Sequence, residues 1–102
     1  ERFYSILRKA HPTTPILMVQ TPEFPNMRFN TETRRIIEEK DATWLEFYRK
    51  FRSAGDANVH FVSSRGMIGD DNEGTVDCAH FTDLGFERCA RFFLPIFRTH
   101  LK

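Results

Sequence analysis

Asp77 and His80 are the residues whose types and spacing are best suited to chemistry. If residues 77–80 form a tight turn, the first and last Cα atoms come within about 7 Å and the carboxylate reaches the imidazole Nδ1. The ring is then oriented with Nε2 free to accept a proton. In an extended chain the two residues would lie about 10 Å apart, too far for a hydrogen bond. The spacing therefore predicts the base-and-orienter half of a hydrolytic triad, provided that the turn forms.

Cys78 and Cys89 are the two cysteines of the sequence. Two cysteines do not make a disulfide framework, and no Cys-x-x-Cys motif indicates zinc or redox chemistry. A thiol nucleophile at Cys78 is a weaker interpretation than a spacer in the turn. We therefore expect two free thiols, with Cys89 as a small packing residue of a helix.

Two other polar segments lack the pattern that their chemistry requires. Ser63 and Ser64 stand in neither a Gly-x-Ser-x-Gly nor a Gly-Asp-Ser context. The acidic run at residues 70–73 does not fit a calcium-binding EF-hand loop, whose twelfth position would fall on Phe81 rather than Glu. We expect a solvated acidic turn here, with no metal ion and no cofactor.

Hydrophobic periodicity predicts three helices and two strands in the order α-β-α-β-α. The predicted elements are a helix over Arg2–Ala10, a strand over Ile16–Val19, a helix over residues 31–54, a strand over Val59–Val62 and a last helix beginning at Thr82. Both strands are continuous apolar or β-branched and aromatic runs, typical of strands covered on both faces. The strand-helix-strand order predicts an α/β fold with a parallel pair and a right-handed crossover.

Polar and special residues define the ends of these helices. Thr31 or Thr33 is expected to cap the long helix, and Gly55 to end it. Thr82 is expected to cap the last helix, in which Pro95 predicts a kink. His60, inside the second strand, is interpreted as a hydrogen-bonded core or edge residue.

The segment after the first strand carries three large apolar residues, Phe24, Met27 and Phe29, between prolines and polar residues. In open α/β sheets, ligands bind at the carboxyl ends of the strands. These three side chains are therefore candidates for a substrate pocket. The alternative, that they pack into the core under a long loop, has at least as much support.

Composition restricts the protein class. The chain has 102 residues, 40% of them hydrophobic, including eleven Phe. This size and composition favour one globular domain or a fragment of one, spanning residues 1–102. The net charge of +1 gives no electrostatic footprint for nucleic acid. No apolar run approaches the roughly 20 residues needed to span a bilayer.

Residues 74–86 resemble the C-terminal block of the SGNH (GDSL-type) hydrolases, which reads Asp-Gly-x-His-Pro-Thr before a helix. Residues 11–19 resemble that family's step from a helix into its fourth strand. The resemblance implies the C-terminal half of a flavodoxin-like three-layer sandwich, with His80 as general base and Asp77 orienting it. The serine nucleophile and the oxyanion donors would then belong to an N-terminal half preceding Glu1, and this chain alone would be inactive.

The same resemblance implies an ester substrate in the intact protein, without distinguishing carbohydrate acetyl esters, lipids and thioesters. It also favours a secreted or periplasmic protein. The chain departs from the family pattern at Cys78, which replaces a glycine, and at Phe81, which replaces a proline. A left-handed conformation at Cys78 would be strained, and the turn would lose the stiffness that proline gives.

A non-catalytic α/β interaction or assembly module is the alternative hypothesis. A two-stranded sheet with three helices leaves an unpaired strand edge and apolar helix surface, and such surfaces bind partners. We therefore expect this chain either to associate edge to edge with a second copy or to require the missing N-terminal half.

Overall fold

The computed structural model describes residues 1–101. Its elements are α1 (Arg2–Ala10), β1 (Ile16–Val19), a short 3-10 helix (Pro25–Arg28), α2 (Thr31–Ser53), β2 (Val59–Val62) and α3 (Asp83–His100). The predicted α/β class and element order are confirmed. The 3-10 helix is an addition, because the sequence predicted only a loop after β1.

β1 and β2 form a parallel pair in which Ile16 lies opposite Val59 and Val19 opposite Val62. Side chains alternate between the two faces of a sheet. Met18 and Val59 therefore share one face, where they pack with Phe51 of α2 in the buried core. The ring of Tyr4 in α1 stacks on Phe51. Thus α1 and α2 cover the same face of the sheet.

α3 lies at the opposite face. His60 of β2 points away from the Met18 core by the same alternation, and its ring stacks on His100 of α3 with centroids 4.0 Å apart. The His60 Nε2 atom also lies 3.4 Å from the Asn58 side-chain oxygen. Burial, and then the neighbouring His100, lower the pKa of His60. The sheet is thus the middle layer of three.

The predicted cap of α2 is wrong. Asn30, rather than Thr31 or Thr33, is the N-cap, and its side-chain oxygen accepts a hydrogen bond of 3.0 Å from the Thr33 backbone N–H. The helix ends at Ser53, and Gly55 follows with a φ of +104°, as expected for a residue that stops a helix.

Thr82 caps α3 as predicted, since its side chain accepts a hydrogen bond from the Gly85 N–H. The helix continues through Pro95, and the kink expected there stays a prediction. None of the helices in residues 1–101 combines the length and apolarity that crossing a membrane requires.

Candidate active site

Residues 74–82 form a narrow hairpin between β2 and α3. The Val76 N–H donates to the His80 carbonyl at 2.8 Å, and the Thr82 N–H donates to the Gly74 carbonyl at 3.0 Å. Thr75 and Phe81 pair between these two bonds as an antiparallel bridge. The hairpin therefore closes the chain around residues 77–80 at its tip.

Asp77 uses both carboxylate oxygens inside this tip. Oδ1 accepts hydrogen bonds from the backbone N–H groups of Ala79 (3.1 Å) and His80 (2.8 Å). Oδ2 lies 2.7 Å from Nδ1 of the His80 ring. One side chain thus holds both the main chain and the imidazole of His80.

These contacts define the ionisation of Asp77 and the tautomer of His80. The backbone N–H of His80, followed by its side chain, lowers the pKa of Asp77 to about 2. An ionised carboxylate is only an acceptor, so Nδ1 must be the donor in this bond. The neutral ring then carries its free lone pair on Nε2. The His80 side chain is 84% exposed, and no group in residues 1–101 is hydrogen-bonded to Nε2.

The tip requires an uncommon backbone conformation at Cys78. Its φ is +67°, in the left-handed region that favours glycine. The strain anticipated for a non-glycine residue at this position is therefore present, and it costs about 1 kcal/mol. Cys78 and Cys89 are both free thiols, as predicted. Burial raises the pKa of Cys89.

Two of the three pocket candidates lie together. Phe24 and Met27 line a cavity of about 290 Å³ beyond the carboxyl end of β1, whereas Phe29 lies outside that cavity and is 81% exposed. His80 does not border the cavity. The nearest connection is the ring of Phe24, whose centroid lies 6.5 Å from that of Phe81, the residue after His80.

The serines near this edge are occupied by other contacts. The Ser64 hydroxyl is buried and donates to the Thr21 carbonyl at 2.6 Å. The Ser63 hydroxyl lies 3.4 Å from the Gln20 side-chain oxygen. Among the residues described, neither serine contacts His80, so neither is placed as the nucleophile at Nε2.

The acidic run at residues 70–73 is held by two arginines that no sequence pattern connects with it. Arg88 forms a two-pronged ion pair with Asp71, with both N–O distances 2.7 Å. Arg28 donates to the Asp70 carbonyl and to the Asn72 side chain. The expectation of a simply solvated turn was incomplete because both arginines are distant in sequence. Within residues 1–101, no three His, Cys, Asp or Glu side chains are grouped as a metal site.

Comparison with known proteins places this chain in a family. The model of the GDSL-like Lipase/Acylhydrolase family matches residues 1–98. A solved structure described as a GDSL-like lipase, from Bacteroides ovatus ATCC 8483, is 32% identical with a TM-score of 0.90. The match covers 97% of this chain but only 29% of that protein. No curated protein matches. The chain belongs to the GDSL-like lipase/acylhydrolase family.

Proposed function

We propose that this chain is the C-terminal part of an SGNH-type serine ester hydrolase, with His80 as the general base and Asp77 as the residue that orients it. One observation carries the proposal: the 2.7 Å contact between the Asp77 carboxylate and Nδ1 of an exposed imidazole. Nδ1 is committed to the carboxylate, so Nε2 is the atom available for proton transfer.

The chemistry follows from that tautomer. Nε2 accepts the proton of a serine hydroxyl as its oxygen attacks the ester carbonyl, and Asp77 stabilises the imidazolium that forms. The imidazolium then donates this proton to the oxygen of the departing alcohol as the carbon–oxygen bond breaks. Water repeats the two steps on the acyl-serine and releases the acid. The serine and the donors that stabilise the oxyanion would come from the remainder of a longer polypeptide.

The outer edge of β1 supports such an arrangement. The backbone N–H groups of Ile16 and Gln20 donate to carbonyl oxygens of residues in β2 or directly before it. Polar backbone groups alternate between the two edges of a strand, so those of Leu17 and Val19 point away from β2. No third strand pairs with them in residues 1–101. This edge suits a strand from the remainder of the proposed longer polypeptide, and in its absence the edge strand of a second copy.

The test is hydrolysis of p-nitrophenyl acetate by the polypeptide that includes this chain and the sequence encoded upstream of it. We expect His80→Ala to lower kcat by about 10³-fold or more, because nucleophile activation is lost. His11→Ala is the matched control, since His11 lies at the exposed end of α1. A His80→Ala enzyme with the turnover of the parent would refute the proposal.

A further inference from the structure

Thr82 connects the base of the hairpin at residues 74–82 to the loop that precedes it and to the first turn of α3. Its hydroxyl donates to the Glu73 carbonyl at 2.8 Å and accepts from the Gly85 N–H at 3.0 Å. Its backbone N–H donates to the Gly74 carbonyl. The residue that caps α3 therefore also holds the loop that enters the hairpin.

The first turn of α3 lies directly against that loop. A Cβ atom added at Gly85 would be 2.0 Å from the Gly74 carbonyl oxygen, well inside the van der Waals distance. Only glycine at position 85 allows this approach. The hairpin base cannot shift along α3 without losing this contact.

Arg88, about one helical turn later, holds the start of the same loop. Its Nη1 atom donates to the Ile68 carbonyl oxygen at 3.0 Å. Nη1 and Nη2 also donate to the two oxygens of the Asp71 carboxylate. Gly69 has a φ of +80°, and a Cβ there would lie 2.5 Å from Nη1. The loop backbone thus passes directly beneath the guanidinium group.

The two attachments form a closed frame around residues 68–82. Arg88 holds Ile68 and Asp71, and the Asp71 carboxylate also accepts from the Glu73 N–H at 3.1 Å. Glu73 in turn accepts from Thr82. Arg88, more than any other group, holds the pKa of Asp71 well below its usual range, so the pair stays charged at neutral pH. The entry and the exit of the hairpin are therefore fixed to one helix.

We propose that Arg88 is a positioning residue for the catalytic base: by chelating Asp71 and binding the Ile68 carbonyl, it fixes where the Asp77–His80 tip stands relative to α3. The inference deepens the proposed function, since it assumes that His80 is the base. Positioning matters because a displacement of about 1 Å from the reacting atoms costs on the order of 10²-fold in rate.

The first experiment uses the longer polypeptide, and its NMR readout does not depend on esterase activity. Arg88→Met is compared with Arg91→Met, because Arg91 is an exposed arginine of the same helix whose one ion pair within residues 1–101 is with Glu87. ¹⁵N NMR reports the tautomer of the His80 ring, and amide hydrogen exchange reports the hairpin tip at Ala79 and His80. We expect Arg88→Met to speed exchange at the tip up to about fivefold, the upper range for an exposed ion pair, while the Nδ1-protonated tautomer that Asp77 sets is retained.

Two further variants keep the result decisive. Arg88→Lys retains the charge but not the two-pronged geometry. Its amide exchange at the hairpin tip should therefore be intermediate between that of the parent and that of Arg88→Met. Asp71→Asn removes the ion pair while Arg88 can still bind the Ile68 carbonyl, and it decides the question if Arg88→Met does not fold. Should Arg88→Met and Asp71→Asn leave amide exchange at Ala79 and His80 the same as in Arg91→Met, the positioning role is wrong.

In the longer polypeptide, Arg88→Met should lower kcat while KM changes little, because it displaces the base rather than a substrate contact. An equal loss for Arg91→Met would point to general destabilisation and would overturn the inference. If the polypeptide hydrolyses no ester at all, the proposed function fails, whereas the NMR comparison still decides whether Arg88 fixes the hairpin.

Discussion

Replacing Asp77 with Asn changes the tautomer of His80 while leaving most of the hairpin intact. The carbonyl oxygen of the introduced amide can still accept from the Ala79 and His80 N–H groups, as Oδ1 does now. The amide NH₂ group then occupies the place of Oδ2, 2.7 Å from Nδ1. Since an amide NH₂ only donates, Nδ1 must become the acceptor and the ring proton moves to Nε2. A protonated Nε2 cannot accept a proton from the serine nucleophile that the proposed function requires.

The expected loss of kcat follows because Asp77→Asn removes the proton acceptor at Nε2 but leaves the hairpin in place. Carboxylate-to-amide replacement in a Ser-His-Asp triad lowers kcat by about 10⁴-fold with the geometry intact. Asp77→Ala should be at least as inactive, and it should also loosen the tip, because the two backbone N–H groups lose their acceptor. The two variants therefore separate orientation of the ring from stability of the hairpin.

The assay is hydrolysis of p-nitrophenyl acetate by the longer polypeptide, together with ¹⁵N NMR of His80 and amide exchange at Ala79 in each variant. For Asp77→Asn we expect the Nε2-protonated tautomer, near-normal exchange and loss of turnover. Turnover within a few-fold of the parent, with the tautomer changed, would refute the reasoning that links the Asp77 contact to catalysis.

The same contact makes a pH prediction. Asp77 has a pKa of about 2 in the folded chain, against about 4 for an unperturbed Asp. Because the folded value is the lower one, ionised Asp77 stabilises the fold above about pH 4, and this contribution disappears as the pH falls through about 2. The stability of Asp77→Asn, measured by thermal unfolding, should not show this contribution of Asp77 to the decrease at acid pH. A loss of activity that begins above pH 4 must then arise from a group other than Asp77.

Three substitutions test the frame around the site by chemical unfolding. Cys78→Gly should stabilise the chain by about 1 kcal/mol, because φ is +67° at that position, and a lower midpoint would contradict the strain. Gly85→Ala should destabilise it by about 1–3 kcal/mol through the clash with the Gly74 carbonyl, so unchanged stability would mean that α3 can move away freely. Asn30→Ala should cost about 1 kcal/mol, whereas Thr33→Ala should cost nothing, and the reverse order would assign the cap to Thr33.

The elements could be predicted from sequence because their signals are local. The apolar runs of β1 and β2 are bounded by prolines, glycines and polar residues, and their limits coincide with the observed strands. The α2 cap was misassigned because Asn30, Thr31 and Thr33 can all cap a helix. The choice depends on the preceding 3-10 helix, whose last turn brings the chain to Asn30 in an extended conformation.

Contacts between distant residues gave no such signal. Arg88 lies 17 residues from Asp71, and Arg28 lies 44 residues from Asn72. Neither pair has a spacing that any helix or turn would bring together, so nothing in the sequence distinguished these arginines from those on solvated helix faces. The Asp77–His80 spacing, in contrast, fits within a single turn.

One hydrogen bond accounts for both the orientation of the His80 ring and the strain of the tip. In a regular two-stranded ladder the His80 N–H would donate to the Val76 carbonyl, opposite the bond that Val76 makes to His80. Here it donates to the Asp77 carboxylate instead. This diversion brings the second carboxylate oxygen to the imidazole, and the chain passes through the left-handed region at Cys78 to allow it. An Asp-x-x-His tip thus carries its own orienting carboxylate, and the rest of the fold has only to hold the hairpin base in place.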